Sequence, residues 1–284
     1  MKNLKIIFKI IGKIFLSLAF SFILAFLIML PVSSAIQDIG IEITGQYELL
    51  ISSIVMNIAL VLAVIISYKY FEDDFNLGWK QDKSLVKFME GSIWGIINIS
   101  IPFIIVLLSG GFIIDNISFD MSVMKNLLFG ILLFLMVAIG EELLARGYIM
   151  GLVKRHYGAV SAILVSSIIF SFIHILNNNV LQNPIPLITL FLSGILLGLS
   201  REVTGGLWVP IGIHFTWNLF QGNILGFEVS GEGLGPSIIE IERTGHQLIS
   251  GGEFGLEGSL ITAVFIILAS YIHWWYYKKR SNSC

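Results

Sequence analysis

The chain is 284 residues long, 56% hydrophobic and only 13% charged, with a mean hydropathy of +0.87. A soluble domain carries about 25% charged residues, so this composition describes a protein that crosses a membrane repeatedly. The net charge of −2 gives no reason to expect a nucleic-acid partner, and the single cysteine, Cys284, excludes a disulfide framework, a Cys-rich zinc site and a prenylated C-terminal box.

Lys2, Lys5, Lys9 and Lys13 precede an apolar run from Ile14 to Leu30. That run is longer than a secretory h-region of about 7–15 residues, so it reads as a retained first transmembrane helix despite the "SSA" at 33–35. Further runs approaching the ~20 residues that span a bilayer follow. With the first they lie near 14–36, 49–70, 91–113, 124–150, 158–176, 184–200, 206–224 and 259–277. The expectation is an all-α polytopic membrane protein of about eight helices. The lysines and arginines of the first arm, of the 69–87 stretch, of 154–155, of 201 and of 278–280 all fall on one face, and the opposite face holds only Lys125 and Arg243. By the positive-inside rule both termini are cytoplasmic, and the Trp274–Tyr277 cluster before "KKR" suits an interfacial anchor. The longest non-spanning stretch, about 225–258, is rich in Gly and Glu and reads as an outer loop. Gly147 with Gly151, and Gly194 with Gly198, are small-xxx-small pairs that let helices pack closely.

Against this background "GEELLARGYI" at 140–149 is out of place. A charge at mid-bilayer costs about 2.5–3.5 kcal/mol even on lenient insertion scales. On an α-helix Glu142 and Arg146 are four apart and face each other, whereas Glu141 points about 100° away with no partner on its own helix. A carboxylate beside a guanidinium stays ionised, and a lone one in low dielectric keeps a proton more readily. Glu142 therefore reads as half of a structural pair and Glu141 as a proton acceptor. His174 ends "FSFIH" on the fifth span, and "HFTWN" sets His214 and Asn218 one turn apart on the seventh. Counted at about 1.5 Å per residue from the cytoplasmic edge, all four lie deep in the bilayer, provided the fourth helix runs on to Lys154. If it stopped at Arg146, Glu141 and His174 would separate by roughly 15 Å or more. His156 and His246 read as loop residues, His273 as part of the interfacial belt, and Asn57 and Asn98 as interhelical hydrogen-bonding residues.

Glutamate with histidine can hold and deprotonate a water, and His beside Asn can donate hydrogen bonds to an oxyanion. Together they describe acyl-bond hydrolysis without a covalent intermediate. The chain has no H-E-x-x-H, no Gly-Asp pair and no G-x-S-G, and Cys284 sits at a frayed end. These absences argue against zincin-type, aspartyl, rhomboid-like and cysteine chemistries in turn.

"EELLAR" (141–146), "FSFIH" (170–174) and "HFTWN" (214–218) resemble, in order and spacing, the EExxxR, FxxxH and HxxxN motifs of the CPBP family. That family comprises CAAX prenyl protease 2 and the bacteriocin-processing enzymes, also called the Abi family. "SGGEFGLEGS" at 250–259 also resembles the outer loop of some bacterial members. The resemblance implies an intramembrane endopeptidase whose core spans 125–225. Helices 1–3 (1–124) would precede that core, and the outer loop with helix 8 (226–284) would follow it. It implies Glu141 as the general base that activates water and His174 as its partner. It implies His214 and Asn218 as stabilisers of the tetrahedral transition state, with Glu142 and Arg146 in support. Glu141, His174 and His214 would also make a His₂Glu zinc site, and the resemblance leaves the metal open. The Lys-, Ile- and Asn-rich composition points to an AT-rich bacterial source, hence a plasma-membrane protein without prenylated substrates. A peptide or membrane-protein substrate, in bacteriocin maturation or self-immunity, is the expected role. A non-catalytic scaffold or immunity protein is the main alternative. A proton-coupled transporter would need two related halves with broken helices, which the sequence does not show.

Overall fold

The computed structural model describes residues 2–39, 46–71, 75–181 and 183–281. Cys284 and residues 72–74 of the first lysine-bearing loop lie outside them. The elements are α1 (Lys2–Ile39), α2 (Gln46–Phe71), α3 (Ser84–Leu108), β1 (Phe112–Ile117), α4 (Met121–Glu142), α5 (Met150–Ile173), α6 (Ile185–Thr204), α7 (Trp208–Leu219), β2 (Ile239–Arg243), α8 (Gln247–Ser250) and α9 (Leu260–Ser281). The architecture is that of an all-α polytopic membrane protein, with six helical stretches among the described residues long and apolar enough to cross a membrane.

Six stretches accommodate eight segments for two local reasons. Residues 121–176 form one continuous helical stretch of 56 residues. It kinks at Gly158, whose φ of 79° is a conformation open to glycine and divides it into two helices. The seventh segment is short: α7 has 12 residues and continues as a π-helical turn, Phe220–Ile224. A second π-helical turn, Leu143–Ile149, joins α4 to α5. The fourth helix therefore does run past Lys154, which is the condition the site required.

Lipid and core divide the helices by face. Phe8, Phe15, Phe22 and Phe26 make an exposed stripe along α1, while Ile10 and Ile14 turn inward to join Leu144, Tyr148, Leu152, Leu207 and Ile211. Asp120 sets the start of α4 by accepting from the backbone N–H groups of Ser122 and Val123 at 2.8 and 2.9 Å. Those bonds, Val123's first, hold its carboxyl below the usual range. Gly194 packs against another helix as expected, a side chain there meeting Ser167 of α5, whereas Gly151 lies against the Phe75 ring of the loop before α3 rather than against a helix. A closer contact was not anticipated. The α3 and α7 backbones touch at Gly91, where a Cβ would clash with the Val209 carbonyl, and Thr216 Oγ1 donates across to Ser92 O at 2.9 Å.

Three expectations need correction. The third span ends at Leu108 rather than 113, because Gly110 turns the chain and β1 begins. The 225–258 stretch is a folded cap: β2 pairs antiparallel with β1, and Phe112 is buried against Phe103 and Phe227. His273 is fully buried rather than interfacial, contacting Asn98 and Ser200 at 3.4 Å each and the Trp94 ring.

Candidate active site

Glu141 and Glu142 end α4 just before the π-helical turn, a winding that recurs at functional sites. Glu142 and Arg146 are both fully buried, with Arg146 Nη1 donating to Glu142 Oε1 at 2.9 Å. The same oxygen lies 3.0 Å from His214 Nδ1, so Glu142 joins two residues rather than the one expected. Arg146 Nη2 also donates to the Gly194 carbonyl at 3.3 Å, and its guanidinium stacks over the Phe170 ring at 4.4 Å. Arg146 is thereby shared among α4, α5 and α6. Breaking a buried pair of this kind by removing one partner costs about 3–5 kcal/mol.

The two histidines are held alike. His174 Nδ1 lies 2.7 Å from the Phe170 carbonyl, and His214 Nδ1 faces the Glu142 carboxylate. Each Nδ1 has only an acceptor to bond, so each carries the proton there in the neutral ring and presents Nε2 as the free nitrogen. Both Nε2 atoms stand 3.9 Å from Glu141 Oε2. That distance is too long for a hydrogen bond and suited to a bridging water. Among the described residues Glu141 Oε2 has no hydrogen-bond partner. Phe170, the first residue of the FxxxH motif, packs on His174 at 4.8 Å and meets His214 edge-on at 6.1 Å.

These groups face a cavity of about 500 Å³ whose wall includes Glu141, His174, His214 and Asn218. Asn218 is buried one turn beyond His214. The structure thus brings all six residues singled out from the sequence into one neighbourhood. The cavity closes under the 225–259 cap, through Val229, Ser230, Glu232 and Glu257. It lies toward the face opposite the Lys278–Lys279 end of α9.

Glu257 was not foreseen as part of the site. Its Oε2 accepts from Ser230 N and Oγ at 2.8 and 3.1 Å, and it is buried on the cavity wall. Burial holds its carboxyl above the usual range, against the Ser230 hydrogen bonds and the nearby histidines, which pull it down. The signal was present in "GLEGS", a stretch singled out for resemblance but given no chemistry. Asn57 also lines the cavity, bonding within its own helix to Ser53 O rather than across helices as expected.

A zinc site on Glu141, His174 and His214 does not fit as the side chains stand. Among the described residues no cluster of three His, Cys, Asp or Glu side chains has a metal-holding arrangement. No step below passes through a metal.

Residues 123–220 match the family model described as type II CAAX prenyl endopeptidase, Rce1-like, a likeness consistent with the CPBP/CAAX protease family. Among curated proteins none matches the chain. The matched segment contains all three motifs and ends before the cap that supplies Glu257.

Proposed function

We propose that this CAAX-protease-like protein is an intramembrane endopeptidase that hydrolyses a peptide bond with water activated by Glu141. The observation that carries the reading is the triangle of Glu141 Oε2 and two imidazole Nε2 atoms, each 3.9 Å from it, on the wall of a cavity within the helix bundle.

In this mechanism a water bridges Glu141 Oε2 and His174 Nε2. Glu141 takes one proton as the water oxygen bonds to the scissile carbonyl carbon. His214 and Asn218 face the oxygen that becomes negative. His214 donates from Nε2, which requires it to carry a second proton, and the Glu142 carboxylate at Nδ1 stabilises that cation. Collapse of the tetrahedral species breaks the C–N bond, and the proton held by Glu141 passes to the departing amine. Arg146 holds the Glu142 carboxylate in place.

The lysine and arginine distribution supports a reading in which both termini are cytoplasmic in a bacterial plasma membrane and the capped side of the cavity faces outward. The substrate is then a peptide or membrane-protein segment reached from the extracytoplasmic side. A soluble prenylated tail does not arrive there. Bacteriocin maturation or self-immunity suits such a substrate.

The test is cleavage of a pool of leader and tail peptides in proteoliposomes, read by mass spectrometry for wild type and Glu141→Gln. Cuts made by wild type alone support the reading. Equal products from both proteins, or none from either while both remain folded, would overturn it.

A further inference from the structure

A second cavity of about 520 Å³ adjoins the catalytic one, and Ser53, Leu133, Glu232 and Leu234 line both. Its walls come from the outer ends of α2 and α4 and from the cap: Leu50, Met121, Phe129 and Pro236 supply apolar surface. Ser53, Ser122, Lys125, Asn126, Asn223 and Glu232 break that surface. Lys125 lines the cavity and has no ion-pair partner among the described residues. Asn223 is 1% exposed on the same wall, and its Oδ1 has no hydrogen-bond partner there, although its Nδ2 donates to the Asn126 carbonyl at 3.1 Å.

The geometry points to a substrate subsite that binds a carboxylate at Lys125, about seven residues from the scissile bond, with the intervening peptide lying along α4 through both cavities. This rests on the endopeptidase reading above and adds a register to it. The spacing follows from the helix. α4 is unbroken from Met121 to Glu142, so Lys125 and Glu141 are sixteen positions apart, or about 24 Å at 1.5 Å per residue. An extended peptide rises about 3.3 Å per residue and covers that distance in about seven.

The chemistry selects a carboxylate. The cap face is acidic, with Asp115, Asp120, Glu228, Glu232, Glu240, Glu242 and Glu253, and Arg243 is already paired with Glu228. Among the described residues Lys125 is therefore the cation on that wall for an anionic group, and Glu232 between the two cavities repels acids placed nearer the cut. Asn223 Oδ1 is seated against Gly130 of α4 and leaves the carboxylate contact to Lys125. A lipid phosphate would account for Lys125 but not for the wall shared with the cavity that holds Glu141.

The experiment uses fluorescent sixteen-residue apolar peptides with amidated ends, in which a single Glu is moved one position at a time. A matched series carries Gln, and a third carries Gln with a free terminal carboxylate. Binding is measured first, to Glu141→Gln protein in proteoliposomes. Glu peptides are expected to bind about tenfold tighter than Gln peptides. Lys125→Gln should erase that preference, and Lys125→Glu should transfer it to peptides carrying Lys. The third series shows whether a terminal carboxylate serves as well as a side chain. Wild-type cut sites should then move in step with the Glu. Lys125 is exposed, so both variants should keep the wild-type melting temperature.

Binding that ignores Lys125, or cut sites that ignore the position of the Glu, would overturn the subsite even with proteolysis intact. Lys125-dependent binding without any cleavage by wild type would instead uphold the subsite and count against the endopeptidase reading.

Discussion

Two buried histidine clusters lie in this bundle, and they are built differently. His273 sits between Asn98, Ser200 and the Trp94 ring, with no carboxylate among these contacts and no place on either large cavity's wall. His214 is tied at Nδ1 to a carboxylate that also holds a buried arginine, and its Nε2 faces a second carboxylate across a gap wide enough for water. The first cluster satisfies its polar atoms against neighbouring helices. The second leaves atoms unsatisfied at matched distances beside an open volume, an arrangement that packing alone does not explain. Burial of a histidine in a membrane helix is thus uninformative until the destination of its two nitrogens is known.

The contrast can be pressed by mutation. The largest effect is expected from Glu141→Gln, which removes the proton acceptor without changing shape. Peptide cleavage should fall by roughly 10³-fold or more, with thermal unfolding in detergent unchanged. Glu142→Ala should act on stability instead. It leaves Arg146 buried without its counter-charge, at a cost of about 3–5 kcal/mol, and a lowered melting temperature should accompany lost activity. Asn218→Ala should reduce kcat by about 10²-fold with KM little changed. A rise in KM at constant kcat would instead make Asn218 a binding residue.

His273→Gln marks the other pole. Long contacts to Asn98 and Ser200 predict a loss of about 1 kcal/mol of stability and a cleavage rate within about twofold of wild type. The smallest effect concerns the cap. The Glu257 carboxyl is raised by burial. A group raised in the folded state contributes stability at pH below its unfolded value and loses it as pH rises through the folded value. Glu257→Gln, which keeps an acceptor for the Ser230 N–H, should therefore melt like wild type near pH 4 and slightly higher at pH 7. A wild type that gains relative to the variant as pH rises would reverse that assignment.

Much of the site could be read from the chain because charges in apolar helices are costly and few. Glu142 with Arg146 followed from the i, i+4 rule, and His214 with Asn218 from the same spacing. The second partner of Glu142 did not follow, because His214 is 72 positions away and meets it only through the packing of α4 on α7. The π-helical turns after Glu142 and Leu219 left no trace in an apolar pattern that suits any helical winding. The cap was missed for another reason. The alternation in "IEIER" is a strand signal, but it lies in a Gly-rich stretch and its partner β1 is more than a hundred residues upstream. His273 was misplaced because proximity to Trp274–Tyr277 suggested an interface, whereas Trp94 of α3 covers that side.

The most direct test sets Glu141→Gln beside His273→Gln in one proteoliposome cleavage assay, with peptide binding measured for both. Both variants should fold and bind peptide, His273→Gln should cut at nearly the wild-type rate, and Glu141→Gln should not cut. Retained cleavage by Glu141→Gln, or equal loss in the two variants, would contradict it.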